Sequence, residues 1–486
     1  MTISKYDVAV VGSGPSGLFA VDTLLRANPN IKIIVFEKGN EVGKRVCPAI
    51  EGECANCNVC NMVSGAGGAG LFSDGKLVLD LNSGGHLDII ESNQYNKKKL
   101  VNYIENLLLK FDGKSVKYKS LSKEEYIKYS DFLKQYGLNF KYYQVRHIGS
   151  YNLKNIINNF ITHLKQNKNI YFMFNTEVEN IFPFNNNFLI NYEKNKYIKA
   201  KKVIVAAGKV GSDWVEKTLS SIGCKFEDNQ FYFGVRVESR KEAISDLFKF
   251  SLDPKFSRVY EDGSKIKVHC ACREGKIAIL NYNSNALVGG HTIFTSKNNN
   301  VGEVPHSSNF NVLMSINPNK YLNPEKILNR FKKHSNNKLF VQLLGDFIDN
   351  KKSDSYGVVK PTNERILTFG NIRELTEDIH FFPDKFLNFI SRLNKIVPGI
   401  VDRDNLLYAP AIEWWMSKII VDQKMQTSVP GLFAVGDGAG LSQGIVHSAA
   451  TGIIAAKQIL KEYNEEIHIN DEIEERLLYE RYTNCC

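Results

Sequence analysis

A glycine-rich turn between an apolar run and a helical run occupies the start of the chain. The segment "DVAVVGSGPSG" (7–17) ends in the spacing Gly12-x-Gly14-x-x-Gly17, and "LFAVDTLLRANPN" (18–30) then repeats apolar residues with helical periodicity. A second apolar run, "IKIIVFEKG" (31–39), carries Glu37 near its end. Strand, tight turn, helix, strand and terminal acid in this order are the fingerprint of a βαβ unit that binds a dinucleotide. The sequence therefore predicts a Rossmann-like domain in this part of the chain.

Each residue type in this fingerprint has a mechanical reason. Gly12 permits the tight turn, Gly14 lets the backbone approach a pyrophosphate, and Gly17 allows the helix to pack closely on the strand. The amino-terminal end of the helix faces the phosphates, and Glu37 is placed to accept hydrogen bonds from an adenosine ribose. The residues expected to contact the dinucleotide here are Gly12, Gly14, Pro15, Ser16, Gly17, Glu37 and Lys38.

Length and composition limit the class of protein. A chain of 486 residues exceeds the size at which single cores stop growing, so we expect two structural domains. Its 43% hydrophobic and 23% charged residues are ordinary for a soluble globular protein. No apolar run reaches the roughly 20 residues that span a bilayer, and the first apolar run lacks a signal-peptide cleavage site. We expect a cytoplasmic protein with no membrane partner.

The formal charge of +10 could suit an anionic partner. The lysines are spread among asparagines and tyrosines, however, and the one tight run is Lys97–Lys99. No interleaving of aromatic and basic residues is present. We therefore expect a solvated basic surface rather than nucleic-acid binding.

Two further segments identify the dinucleotide. "KKVIVAAG" (201–208) is an apolar strand that ends in small residues, and "GLFAVGDGAG" (431–440) is another strand that delivers Asp437 between glycines. In motif type and order the chain resembles the FAD-binding flavoproteins of the glutathione-reductase and p-hydroxybenzoate-hydroxylase superfamily. The resemblance implies that Asp437 binds the ribityl or pyrophosphate part of FAD. It also implies that the helix in "GIVHSAATGIIAAKQIL" (444–460) points its positive end at the flavin, where it would stabilise negative charge on reduced N1.

Further segments narrow the resemblance. They are "SGAGGAGLFSDGKL" (64–77), "FYFGVRVE" (231–238), "VQLLGDF" (341–347), "PTNER" (361–365) and "GDGAGLSQGIVHSAATG" (436–452). Together they look like the uncharacterised FAD-dependent dehydrogenase family, also described as NAD(FAD)-utilizing dehydrogenases, over residues 7 to about 465. Gln443 stands where many members carry a basic residue. The further cofactor-binding residues that the resemblance implies are Gly67, Gly68, Ala69, Gly70, Ser73, Asp74, Gly75, Lys76, Val178, Ala207, Gly208, Gly436, Asp437, Gly444 and Ile445.

The predicted fold is α/β, a Rossmann-like FAD-binding domain with a mixed β-sheet substrate domain inserted. We assign 1–86, 145–220 and 405–465 to a discontinuous FAD-binding domain, in which 151–164 repeats apolar residues at helical spacing. Residues 87–144 read as a helical insertion, 221–404 as a substrate or cap domain of alternating strands, and 466–486 as a C-terminal tail. No second complete GxGxxG is present, so a dedicated NAD(P)H domain is not expected. NAD(P)H or a redox protein stays open as the electron partner.

Four cysteines, Cys47, Cys54, Cys57 and Cys60, lie just before the second glycine-rich segment. Disulfide frameworks are rare in the cytosol, so three alternatives remain. The first is a redox dithiol that exchanges electrons with FAD, in which Cys47 and Cys54 are catalytic. The second is a set of four ligands for an iron–sulfur cluster or zinc. The third is a loop of packed thiols without redox duty.

The other cysteines are less informative. Cys270 and Cys272 are expected to share one face of a strand, with His269 on the other. Cys485 and Cys486 resemble the vicinal thiols of some flavoprotein reductases, but a frayed tail is the expected state.

For acid–base chemistry the sequence offers His447, at the start of the helix that faces the flavin, and Glu413. We expect an FAD-dependent oxidoreductase that transfers hydride between a small-molecule substrate and flavin N5, in a cleft between the two domains. A monooxygenase is compatible with the same motifs. The alternatives from other classes are a flavin-dependent RNA-modifying enzyme and an electron carrier built from FAD and the cysteine cluster.

Overall fold

A computed structural model describes most of the chain. The described residues are 3–50, 54–55, 57–73, 75–80, 85, 94–111, 121–249, 251, 253–282, 285–292, 306–318, 322–413 and 416–463. Asp74, which the sequence assigns to the cofactor loop, lies outside them. So does the predicted C-terminal tail 466–486, including Cys485 and Cys486.

The described residues form two large sheets, three small ones and the helices around them. The strands are β1 (Lys5–Val11), β2 (Ile33–Phe36), β3 (Lys76–Val78), β4 (Asn139–Lys141), β5 (Val145–His147), β6 (Ile170–Met173), β7 (Val178–Phe184), β8 (Asn187–Tyr192), β9 (Lys196–Val205), β10 (Phe226–Glu227), β11 (Phe231–Arg240), β12 (Lys255–Val259), β13 (Lys265–Cys272), β14 (Gly275–Tyr282), β15 (Asn285–Thr292), β16 (Ser307–Ile316), β17 (Leu339–Leu343), β18 (Leu367–Phe369), β19 (Leu406–Glu413), β20 (Lys418–Ile419) and β21 (Leu432–Ala434). The helices are α1 (Pro15–Ala27), α2 (Gln94–Lys110), α3 (Lys123–Lys134), α4 (Ser150–Leu164), α5 (Ser212–Ser220), α6 (Pro324–Ser335), α7 (Leu344–Ile348), α8 (Ile372–Leu375), α9 (Phe382–Leu393) and α10 (Ile445–Glu462).

The first large sheet has the order β6-β2-β1-β9-β8-β7, with β21 paired to β9. Strands β6, β2, β1, β9 and β21 pair in parallel, and β7 and β8 continue from β9 as an antiparallel meander. The parallel strands are short apolar runs because helices cover them. Helices α1, α2, α4 and α10 contribute buried side chains to the same core. This is the predicted Rossmann-like sheet.

Helix α4 illustrates how periodicity gave this helical layer. Its apolar positions recur at helical spacing, and all six are at most 6% exposed. They are Leu153, Ile156, Ile157, Phe160, Ile161 and Leu164. The helix therefore buries one continuous stripe against the parallel sheet.

The second large sheet has the order β18-β17-β19-β11-β16-β13-β12-β4. It is mixed, because β17 and β18 are parallel and the other pairs are antiparallel. Alternate residues of β11, among them Phe231 and Phe233, pack with Phe331 of α6 and Phe382 of α9 in one core. Since side chains alternate across a strand, Tyr232 between them faces the opposite side. That opposite side is partly covered by the β14–β15 hairpin.

Two segments lie differently from the domain boundaries drawn on the sequence. Strand β19, within the segment 405–465 that we assigned to the FAD-binding domain, pairs with β11 and β17 of the second sheet. The segment 87–144 is divided: α2 packs in the first core, whereas β4 is an edge strand of the second sheet. Both differences arise from pairing between residues far apart in the chain, which local composition does not encode. Among the described residues, no helix is long and apolar enough to cross a bilayer.

Candidate active site

A cavity of about 980 Å³ lies between the two large sheets. One wall comes from the first sheet, where Gly12, Gly14 and Asp437 border it. The opposite wall comes from the second sheet, where Tyr232 and Lys267 border it. The space therefore joins the predicted cofactor loops to the predicted substrate domain.

The glycine turn after β1 can accept no side chain at two positions. Gly12 has φ +108°, and a Cβ atom there would lie 2.2 Å from the carbonyl oxygen of Ala206. A Cβ atom at Gly17 would lie 2.1 Å from the carbonyl oxygen of Gly12. Both separations are shorter than real contacts, so the turn, the helix and the neighbouring strand end can approach this closely only with glycine.

The amino-terminal end of α1 fits a phosphate group. The helix begins at Pro15, which has no N–H to satisfy, and its N-cap residue Gly14 provides no side-chain cap. The backbone N–H groups of the first turn are thus not capped by the N-cap side chain, and Gly14, Pro15 and Ser16 border the cavity. The residues present fit the pyrophosphate of FAD.

Glu37 is buried at the end of β2 and organises the loops around this turn. One oxygen accepts hydrogen bonds from the backbone N–H and the hydroxyl of Ser13, at 3.0 and 2.8 Å. The other accepts from the N–H groups of Gly39 and Gly65, at 2.9 and 3.0 Å. A carboxylate offers about four acceptor positions, so all are used by the protein itself. The predicted contact with the ribose of FAD requires one of these donors to give way.

Arg45 is a buried cation that the sequence alone did not single out. The five N–H groups of its guanidinium make six hydrogen bonds to backbone carbonyl groups, one N–H being shared, and its exposed fraction is 2%. The carbonyls belong to Asn61, Met62, Gly65, Ala66 and Gly68. Burial lowers the pKa of Arg45 to about 10, so the group stays charged at neutral pH. Arg45 thereby fixes the loop that carries the second glycine-rich segment.

Asp437 is partly buried, lies three residues after β21 and faces the cavity. It accepts hydrogen bonds from the hydroxyls of Ser442 and Ser448, at 2.9 and 2.6 Å. Burial raises the pKa of Asp437, although Lys209 and these hydroxyls act in the opposite direction. The carboxylate therefore sits beside the start of α10, and its contact with FAD stays a prediction.

Glu413 lies in the cavity at the end of β19, between two donors. Lys209 Nζ lies 2.7 Å from its Oε2, and the side-chain amide of Gln443 donates to the same oxygen. Burial by itself would lower the pKa of Lys209, but the Glu413 carboxylate outweighs burial and the pKa is raised. Lys209 thus supplies a cation next to Gln443, the position where the resemblance would place a basic residue.

The predicted cofactor residues divide into those that border the cavity and those behind it. The ones that border it are Gly12, Gly14, Pro15, Ser16, Glu37, Lys38, Gly68, Ala69, Gly70, Ser73, Lys76, Val178, Ala207, Gly208, Asp437, Gly444 and Ile445. The ones behind it are Gly17, Gly67, Gly75 and Gly436. These four act through packing; a Cβ atom at Gly436, for example, would lie 2.6 Å from Ser16 Oγ.

His447, predicted as an acid–base group, is completely buried and does not border the cavity. Ile445 and Ser448, three positions apart on α10, do border it. A residue two positions after Ile445 lies on the far side of the helix, because each residue turns the helix by about 100°. The structure therefore places His447 in the packing of α10, and the prediction that it acts on substrate is not supported.

None of Cys47, Cys54, Cys57 and Cys60 borders the cavity, although the loop that follows them does. Cys57 is exposed, and the other three are partly buried. Burial raises the pKa of Cys47, and the neighbouring cysteines act in the same direction, so the four lie near one another. Within the described part of the chain, however, no group of three or more His, Cys, Asp or Glu side chains is arranged to hold a metal ion.

Contrary to the prediction, Cys270 and Cys272 do not share one face of β13. A bulge separates His269 from Cys272 in the pairing of β13 with β16, and Cys270 has φ +51°. The extra residue breaks the alternation of side chains. Cys270 accordingly borders the cavity, whereas Cys272 is buried and its Sγ lies 3.1 Å from a guanidinium nitrogen of Arg236.

Most of the residues that form the cavity wall on the second sheet were not predicted from the sequence. Lys265, Lys267 and His269 all border the cavity, and their spacing of two in "KIKVHCAC" was the signal that could have found them. A strand that alternates apolar residues with lysines places the lysines on one face.

Comparisons with known proteins agree with the first domain. Residues 9–210 match a protein family described as FAD-NAD(P)-binding. An uncharacterised protein of Clostridium beijerinckii is 24% identical across 94% of this chain and 81% of its own length.

Among solved structures, glycine oxidase from Geobacillus kaustophilus matches with a TM-score of 0.37 and 12% identity over 96% of this chain and 97% of that one. p-Nitrophenol 4-monooxygenase PnpA from Pseudomonas putida matches with a TM-score of 0.39 and 10% identity over 95% and 81%. Scores this low carry no weight for fold or activity.

The family match over 9–210, together with the parallel sheet and its glycine turn, confirms the predicted α/β fold with a Rossmann-like FAD-binding domain. The narrower resemblance to the FAD-dependent dehydrogenase family stays a prediction. The matching family is described by dinucleotide binding alone, so it stays a prediction that the chain is an FAD-dependent oxidoreductase.

Proposed function

We propose that the protein oxidises or reduces a small molecule in the cleft between its two sheets. The observation that carries the proposal is one continuous cavity, which runs from the glycine turn of the FAD-binding domain to Tyr232 and Lys267 on the second sheet. When bound, FAD supplies the two-electron acceptor or donor for the substrate. The second sheet leaves room for a substrate beside the cofactor, which an electron carrier does not need.

Different segments of the chain bind different parts of the cofactor and the substrate. The first turn of α1 and the glycine turn receive the phosphates, and Asp437 with its two serine partners faces the start of α10. A helix start beside the bound cofactor favours negative charge there. The β14–β15 hairpin and the second sheet form the wall on the substrate side.

Glu413 is the group that we assign to proton transfer. Lys209 and Gln443 both contact its Oε2, so Oε1 is the atom at which a substrate proton is accepted. Lys209 and Gln443 together fix the position of the carboxylate. A carboxylate in this arrangement meets the geometric requirement for a general base at the wall of a substrate cavity.

Anaerobic mixing of the FAD-loaded protein with candidate donors and acceptors tests the proposal. We expect at least one small molecule to bleach or restore the flavin absorbance. Glu413→Gln is expected to slow that step about a hundredfold while FAD remains bound, because the proton acceptor is removed. The proposal fails if no small molecule changes the redox state of the flavin. The assignment of Glu413 fails if the flavin of the Glu413→Gln protein changes its redox state at the same rate as that of the parent.

We also propose that Cys47, Cys54, Cys57 and Cys60 are reduced thiols beside the cavity rather than metal ligands. The support is that these four side chains are not arranged as a set of ligands in the described residues. A structural zinc or iron–sulfur site requires convergent ligands.

Metal analysis and thiol titration test this second proposal. We expect anaerobically purified protein to contain no stoichiometric iron, zinc or sulfide. Cys57, the exposed thiol, is expected to react first, and Cys57→Ser should remove the fast phase and leave the visible spectrum unchanged. Stoichiometric iron and sulfide that disappear in Cys57→Ser would establish a cluster instead. A gain of two thiols on reduction would establish a redox disulfide.

A further inference from the structure

We infer that the substrate side of the cleft binds a small organic anion, through a carboxylate or phosphate group held by Lys267 and its neighbours on the second sheet. The inference rests on the proposed function and deepens it, because it names the chemical class of the substrate.

The lysines are gathered on one face of the second sheet. Lys265, Lys267 and His269 alternate along β13 and therefore point the same way. The ladder between β12 and β13 pairs Ser257 with Lys267, and all of these residues border the cavity. Strand β4 adds Lys141 at the edge, opposite Lys255 of β12. Strand pairing thus concentrates positive charge on the wall that faces FAD-binding loops.

Part of this charge is balanced inside the protein. Lys255 lies 2.9 Å from the buried carboxylate of Asp253, which also accepts a hydrogen bond from Tyr143 at 3.0 Å. Lys209 is balanced by Glu413 in the same way. These ion pairs hold Lys255 and Lys209 in place. Neither pair neutralises the charge of Lys265 or Lys267.

Lys267 and Lys265 lack a carboxylate partner within 4.0 Å among the residues that the structure describes. Lys267 contacts an aromatic ring, its Nζ lying 3.6 Å from the centroid of Tyr232. A ring face attracts the cation but carries no net charge to neutralise it. Burial, and after it the charge of Lys255, lower the pKa of Lys267 to about 7. The pKa of His269 is held well below its usual range by burial and by Lys255 and Lys267.

An anion is the ligand that would neutralise the positive charge of Lys265 and Lys267. It would pair with Lys267 in a place from which water is partly excluded, where electrostatic interactions are stronger than in bulk water. The pyrophosphate of FAD does not serve this purpose, because the glycine turn that receives it belongs to the first sheet. The lysines belong to the second sheet, on the substrate side of the cavity.

The experiment measures binding to the oxidised, FAD-loaded protein by calorimetry and by the shift of the flavin absorbance. The probes are succinate for a carboxylate and glycerol 3-phosphate for a phosphate, with succinamide and glycerol as neutral counterparts. We expect one or both anions to bind and the neutral counterparts not to bind. The stronger anion identifies which of the two groups the substrate carries.

Variants connect that binding to the lysines. Lys267→Met and Lys265→Gln are each expected to weaken it about tenfold or more, because each loses a charged hydrogen-bond donor. Lys267→Arg should retain most of it. Lys395→Met, which removes an exposed lysine just after α9 on the other side of the sheet, should have no effect. Lys265 is exposed, so Lys265→Gln tests the inference even if Lys267→Met does not fold.

The pH dependence supplies a second readout. An anion raises the pKa of Lys267, so binding is strongest below about pH 7 and weakens as the pH rises through the pKa values of the free and bound protein. The charged and titratable groups that face Lys267 are Lys255 on β12, Lys265 and His269 on β13, Tyr232 on β11, Glu413 on β19 and Lys209 before α5. In Lys267→Met this dependence should be lost.

Three results would overturn the inference: no binding of either anion, binding that Lys267→Met and Lys265→Gln leave unchanged, or lysine-dependent binding of NADP⁺ alone. The last would assign the wall to the phosphate of a nicotinamide cofactor. Reduction of the flavin by a neutral molecule, without anion binding, would remove the anion site and leave the oxidoreductase proposal standing. Anion binding without any flavin reduction would leave the anion site standing and remove the oxidoreductase proposal.

Discussion

Gly12→Ala protein is expected to purify without FAD and with a lowered free energy of unfolding. The new Cβ atom would lie 2.2 Å from the carbonyl oxygen of Ala206, and the residue would be held at φ +108°. Overpacking and an unfavourable backbone conformation together cost on the order of 3 kcal/mol or more. The turn can relieve the clash only by moving away from β9, which displaces the phosphate-binding start of α1. Flavin absorbance after gel filtration and denaturant unfolding measure the two effects.

Two control variants separate the causes. Gly263→Ala places alanine at φ +79° with open space around its Cβ atom, so it carries the backbone penalty without the clash. Gly43→Ala has neither a positive φ nor a neighbour within 4 Å. Both proteins should keep FAD, and Gly43→Ala should stay within about 0.5 kcal/mol of the parent. If Gly12→Ala retains full flavin content, the glycine turn is not the phosphate cradle.

Arg45→Met protein is expected to lose about 3 to 5 kcal/mol of its free energy of unfolding, because five buried or partly buried carbonyl groups lose their charged donor. Methionine fills the space of the side chain and makes none of these hydrogen bonds. The loop that carries Gly68 should loosen, so FAD should be released at a lower temperature than in the parent. Urea unfolding and flavin fluorescence on heating are the measurements.

The matched control is Arg240→Met. Arg240 is exposed, with a guanidinium nitrogen 3.8 Å from Asp402, and surface pairs of this kind contribute about 0 to 1 kcal/mol. Arg45→Lys should recover only part of the loss, since one ammonium group cannot reach five carbonyls in the fork geometry of guanidinium. Equal stability of Arg45→Met and Arg240→Met would show that the Arg45 clamp does not hold the loop.

The parts of the fold that the sequence predicted depend on neighbours in the chain. The turn from Gly12 to Gly17 lies between β1 and α1 as expected, Glu37 follows β2, and Asp437 follows β21. These features are local: a tight turn needs glycine, and a helix stripe needs apolar residues at a fixed spacing. The same local rules failed for Cys270 and Cys272, because the bulge that separates them depends on pairing with β16.

In the active site too, some residues could be predicted from the local sequence and others depend on tertiary packing. Glu413 could be selected from the sequence as an acid–base candidate, and it lies in the cavity. His447 was selected by the same reasoning and is buried in helix packing, because the phase of α10 relative to the cavity is set by how the helix packs.

The sequence by itself thus determined the dinucleotide fingerprint, the order of the cofactor motifs and the mixture of parallel and alternating strands. Only the tertiary structure decided which carbonyls Arg45 holds, that β19 joins the second sheet, and that Lys265 and Lys267 face the cofactor loops. The physical reason is that a local pattern specifies how one segment folds. Contacts between segments far apart in the chain depend on the packing of whole layers, and the sequence of either segment alone does not contain them.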